Sequence, residues 1–206
     1  MKRPCASFGI AFFALAVGSA AADDVTFWVE PCSVVTSLAC APEDVDLARW
    51  AFAAWQGASD GKLRFMESKN RETALIRLRW AQKNGGLYGE TVPITVEGRA
   101  GHEIYVLAES PDGATGKRDR LLRDAIVYLT CLHESGHALG LEHTREFADI
   151  MYSFQYGGDI DEYFGRYRRK LAAREDIHKN AGMSPADHTA LLEQIRIKSI
   201  AEGKLR

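Results

Sequence analysis

Residues 133–143 read His-Glu-Ser-Gly-His-Ala-Leu-Gly-Leu-Glu-His, the pattern HExxHxxGxxH with every specified position filled. On a helix of 3.6 residues per turn, His133 and His137 project from one face a turn apart, so their imidazoles can share one small cation. Glu134 is rotated by about 100° from His133 and can reach a water on that cation without becoming a ligand itself. Gly140 lacks a Cβ and can take the left-handed conformation that ends a helix, a turn that brings His143 round as a third nitrogen. Three neutral imidazoles with one open position are the ligand set of a catalytic zinc, not of a closed structural one. The expectation is therefore one Zn2+ on His133, His137 and His143, with Glu134 as the acid–base group. A bare HExxH arises by chance, but satisfied histidines on a helix face do not account for Gly140 and His143 together.

The elements that must carry these residues follow from periodicity. Val25 to Glu30 alternates and is rich in β-formers. Pro42, Glu43 and Asp44 open a helix to about Gly57, with Val45, Leu47, Ala48, Ala51, Phe52 and Trp55 at helical spacing. Strands are expected over Leu63–Met66, Thr73–Trp80 and His102–Leu107, with a turn at Asn84-Gly85-Gly86. Leu87–Val96 is extended and carries Pro93, which suits a sheet edge. A Pro/Gly/Asp loop covers Ser110–Lys117, and a long helix runs from about Arg118 to Leu139. Two more helices are expected, over about Asp161–Ile177 and from Pro185 to Ala201. The second opens on Ser184 with Asp187 three residues on, close to a capping box.

Residues 1–22 are an address and not part of the fold. Lys2 and Arg3 precede an apolar run, Ile10–Val17, and Ala20 and Ala22 supply the small residues of a cleavage site. The run is short for a membrane span, which needs about 20 residues. We therefore expect residues 1–22 to be a signal peptide, residues 23–206 to be a single exported domain, secreted or periplasmic, and no membrane attachment after cleavage. The chain has 206 residues, 46% hydrophobic and 26% charged, a globular balance. Without the leader it has 24 basic against 28 acidic residues, a formal −4. No basic footprint invites nucleic acid. Export favours a disulfide, and Cys32 with Cys40 would close a small ring, leaving Cys131 as a buried thiol.

HExxHxxGxxH followed by Ala148-Asp149-Ile150-Met151-Tyr152 resembles the metzincin clan of zinc metallopeptidases, and the run His-Ala-Leu-Gly-Leu-Glu-His, then Met-Tyr, is most similar to the matrixins. The resemblance implies an α+β fold, a metzincin-like zincin domain with a twisted mixed sheet packed on two long helices and extra C-terminal helices. It also implies a zinc endopeptidase acting on peptide or protein substrates, with Met151 packed beneath the three imidazoles. Several residues depart from the pattern. Ser153 replaces the proline after Met-Tyr, and no metal-binding tyrosine stands two residues past Met151. Only His102 falls where a second, structural zinc would sit, so none is expected. No propeptide segment is recognisable between Ala22 and the first strand, so autoinhibition by a propeptide thiolate is not expected. Residues 155–183 form an insertion suited to a lid or exosite. Its acidic stretch Gly157–Glu162 is read as a helix-opening turn in preference to a calcium loop. Two other functions stay open on the sequence: a binding module that keeps the zinc fold without cleaving, and a processing enzyme for a single partner.

Overall fold

The computed structural model describes residues 22–32, 40–81, 88–108 and 119–201. Residues 1–21 of the expected leader, the expected turn at 84–86 and the expected loop at 110–117 lie outside them. Five strands, β1 (Asp23–Val29), β2 (Leu63–Glu67), β3 (Ile76–Ala81), β4 (Gly89–Val96) and β5 (Arg99–Leu107), form one sheet in the order β2-β1-β3-β5-β4. β1 runs parallel to β2 and β3, and β3 parallel to β5. Only β4 is antiparallel, paired to β5 from Gly89↔Val106 to Val96↔Arg99. β4 is an edge strand, and its Pro93, which cannot donate to a ladder, is tolerated there.

Alternation decides which face of the sheet is covered. Ile76, Leu78 and Trp80 of β3 and Ile104 and Val106 of β5 are buried. The intervening Arg77, Arg79, Glu103 and Tyr105 form a polar outer face, where Arg79 lies over the Tyr105 ring. Two long helices cover the inner face: α1 (Asp44–Gly57) against β1 and β2, and α2 (Arg120–Leu139) against β4 and β5. They also pack on each other, with Trp55 Nε1 donating to the Leu132 carbonyl at 2.9 Å. Buried Asp44 pairs with Arg123, and buried Asp124 with Arg174 at 3.2 Å, which ties α1, α2 and the later chain together. Cys32 and Cys40 are disulfide-bonded between β1 and α1, and Cys131 is a buried free thiol within α2.

One expected helix is two. In place of a single helix over Asp161–Ile177, the chain forms α3 (Ile160–Arg168) and the short α4 (Asp176–Lys179). The Asp176 carboxylate accepts the amides of Ala172 and Ala173, and Arg168 donates to the Leu171 carbonyl. These local bonds satisfy the backbone without helix and let Leu171 and Ile177 both turn into the core. Asp159 caps α3 by accepting the Glu162 amide at 3.0 Å, so the acidic stretch is a helix-opening turn as expected. The terminal helix α5 (Pro185–Ala201) opens on a reciprocal capping box: Ser184 Oγ accepts the Asp187 amide and Asp187 accepts the Ser184 amide.

Candidate metal centre

Asp119 starts α2 by accepting the Leu122 amide, and Gly140 ends it at φ 95°, where its own amide and that of Leu141 bond back to His137 and Gly136. The turned chain then carries His143 back over the helix. His143 Nε2 lies 3.2 Å from His133 Nε2 and 3.1 Å from His137 Nε2. The other ring nitrogens are already committed: His133 Nδ1 donates to the Ile150 carbonyl at 2.7 Å, and His137 Nδ1 to the Leu141 carbonyl at 2.8 Å. Those bonds fix the tautomer in which both Nε2 atoms carry bare lone pairs aimed at one point.

This donor set fits a zinc ion. Nitrogens at zinc distance on a tetrahedral ion lie about 3.3 Å apart, close to the spacing of these atoms. A single proton on His143 can bridge to one neighbour but not both, whereas a cation satisfies all three. Burial, with the two other imidazoles alongside, pushes His133 down to about 4 despite its bond to the Ile150 carbonyl, so this nitrogen is unprotonated at neutral pH. His143 is also lowered, by burial and by His137, although its ring is exposed enough to admit solvent. Among the described residues, His133, His137 and His143 are the one group of three such side chains able to hold an ion.

Glu134 follows His133 but faces the sheet edge, where it is buried. Thr91 Oγ1 of β4 lies 2.7 Å from its Oε2 and 3.0 Å from its carbonyl oxygen. Burial pushes the carboxyl up to about 7; the Thr91 hydroxyl opposes this and the negative charge of Glu90 adds to it. A dication among the imidazoles would draw that value down again.

Behind the imidazoles the chain from 144 to 152 folds back on itself, Thr144 donating to the Met151 carbonyl at 2.8 Å. Met151 is fully buried beneath the helix. A Cβ on Gly136 would come within 2.5 Å of Met151 Sδ and 3.0 Å of the Trp55 ring. The glycine between Glu134 and His137 is therefore what admits the methionine. Periodicity puts Gly136 on the broad apolar face of the helix but gives no reason for a glycine there, because the motif permits any residue at that position.

A cavity of about 510 Å³ opens beside the three histidines. Its apolar wall is Leu129, Phe154, Ile160, Tyr163 and Phe164, and Ser153 stands at its rim. Part of this wall, Ile160, Tyr163 and Phe164, comes from α3. His102 lies elsewhere: it sits half-buried on β5, its pKa lowered by burial with Lys198 and His137 adding to the effect. Thr91, Gly89, the Ile150 carbonyl and Asp187, which accepts the Ile150 amide, carried no signal of a site role in the sequence.

A mixed sheet, two helices beneath it and a third histidine returned by a glycine turn define a metzincin-type catalytic domain. The family model of the matrixins, a peptidase family, matches residues 22–161, and the chain belongs to that family. Membership makes it a zinc-dependent metallopeptidase. The match stops inside α3, so Tyr163 and Phe164 of the cavity wall lie beyond it.

Proposed function

We propose that this protein is exported by its leader and hydrolyses internal peptide bonds with one zinc ion held by His133, His137 and His143, with Glu134 as general base. The observation that carries the reading is the convergence of three imidazole nitrogens whose partners on the far side of two rings are already fixed. A bound zinc supplies a polarising charge for the scissile carbonyl and an acidified water. Glu134 takes the water's proton on its carboxylate and passes it to the leaving amine. Its desolvated setting supports that role, since a base serves best with a pKa near the working pH. Met151 acts as a packing base beneath the imidazoles and not as a ligand.

The peptide lies extended along the outer edge of β4, which among the described residues pairs only with β5 and so offers main-chain groups for strand addition. The side chain on one side of the cut enters the cavity beside Leu129, Phe154, Tyr163 and Phe164 and is apolar, because this part of the lining is hydrophobic and rewards burial of apolar surface. No helix among the described residues is long and apolar enough to cross a membrane. The test is Glu134→Gln in the zinc-loaded protein, assayed against a diverse peptide library with and without chelator. Chelator-sensitive cleavage by the wild type that vanishes in the variant, at unchanged zinc content, is the expected result. Equal cleavage by both overturns the base assignment, and no cleavage by the wild type favours a zinc-fold binding module.

A further inference from the structure

Glu134 is held by the sheet as well as by its own helix. Gly89 and Thr91 are two residues apart on β4 and so share one face, the face turned toward α2. A Cβ on Gly89 would lie 2.7 Å from Glu134 Cγ, 2.9 Å from its Oε1 and 2.9 Å from Thr130 Cγ2. The strand therefore runs against the carboxylate with no room to spare, and Oε1 is backed by bare backbone. Thr91 closes the other side. Its hydroxyl has one proton to give, and of its two neighbours the carboxylate Oε2 at 2.7 Å is both closer and charged, compared with the Glu134 carbonyl at 3.0 Å. A glutamate on a helix has three side-chain torsions to lose, and a backstop together with a directed donor removes most of that freedom.

Resting on the reading of Glu134 as general base, we propose that Thr91 is a positioning residue for this reaction: its hydroxyl, with Gly89 as backstop, fixes the Glu134 carboxylate in its working orientation. Because β4 is also the strand that the peptide would join, the same backbone then sets both the substrate and the base, and the two keep register with each other. Thr91 acts through Glu134, the residue to which both hydrogen-bond contacts of its hydroxyl go.

The experiment compares wild type, Thr91→Val and Thr91→Ser as full-length, zinc-loaded enzymes. Valine keeps the shape and removes the donor; serine restores the donor without the methyl. In Thr91→Val we expect kcat to fall roughly 10- to 100-fold, the size of a lost hydrogen bond to a charged group, with KM and zinc content near wild type. Thr91→Ser should recover most of the loss. Crystal structures of the wild type and Thr91→Val give a readout independent of turnover: the Glu134 carboxylate should move or split between rotamers while His133, His137 and His143 stay in place. An unchanged kcat, a KM rise alone, no rescue by serine, or an unmoved Glu134 each overturns the proposal. If the wild type cleaves no peptide, the protease reading fails, and the crystallographic comparison still decides whether Thr91 holds Glu134.

Discussion

Asp187 on α5 accepts the amide of Ile150 at 2.9 Å, and the carbonyl of that same residue accepts Nδ1–H of His133 at 2.7 Å. One backbone unit thus links the terminal helix to a proposed metal ligand. Asp187 also accepts the Ser184 amide with the same oxygen, while its Oδ1 is buried without a hydrogen-bond partner. Removing the carboxylate in Asp187→Ala strands two amides, and we expect a loss of about 2–4 kcal/mol in thermal or urea unfolding, with weaker zinc retention.

The same carboxyl gives stability a pH dependence of known sign. Burial raises its pKa in the fold, with Asp149 nearby adding to the effect and the amides of Ile150 and Ser184 opposing it. The unfolded chain therefore ionises first as pH rises. Stability from this group is full below about pH 4, is lost as pH climbs toward the raised value, and is flat beyond it. Asp187→Asn does not titrate. The stability difference between wild type and Asp187→Asn should shrink across the mildly acidic range and then level; a difference that grows with pH contradicts the raised value.

Gly136 is held to glycine by Met151. Alanine there would put a methyl into Sδ and against the Trp55 ring, in a stretch of α2 whose neighbours Glu134, Ser135, Ala138 and Leu139 are all buried. Gly136→Ala should cost roughly 1–3 kcal/mol by overpacking and lower zinc affinity as the methionine moves. Met151→Ala alone opens a cavity and should cost about 2–5 kcal/mol. Unfolding curves and zinc content measured on one preparation separate the two effects.

The convergence of the three imidazoles could be read from the sequence because helical spacing and a turn glycine are local properties, and His133, His137, Gly140 and His143 lie within eleven residues. Edge placement of β4 followed from Pro93 for the same reason. Thr91 could not be read, since its bond to Glu134 spans 43 positions and depends on how closely β4 approaches α2. The break between α3 and α4 was missed because periodic apolar residues continue through it, while Asp176 captures two upstream amides that periodicity does not register.

Zinc should stabilise the fold measurably. An ion that binds the three converged Nε2 atoms binds the folded chain and not the unfolded one, so it shifts the unfolding equilibrium. At a free zinc concentration a hundredfold above Kd, linkage gives about 2.7 kcal/mol. We expect a higher melting temperature with zinc and a drop on chelation. His143→Ala should abolish the zinc-dependent shift while leaving the chelated protein close to wild type, because this ring is exposed and caps no helix. His133→Ala should also lower the stability of the chelated protein, since its bond to the Ile150 carbonyl is lost.

Cavity shape should set which peptides are cut. Phe164 is buried, lines the cavity from α3, and meets the Tyr88 ring at 5.0 Å and the Tyr163 ring at 5.3 Å. Phe164→Leu shortens this part of the wall at a cost of roughly 1–2 kcal/mol, small enough to preserve the fold. Room gained in the wall of an apolar pocket favours a larger apolar side chain by about 1–3 kcal/mol per added methylene-sized group, or 10- to 200-fold in kcat/KM. Library cleavage by wild type and Phe164→Leu should therefore shift toward larger apolar residues on one side of the cut and leave the other side unchanged. A shift on both sides, or none, would place the selecting pocket elsewhere along β4.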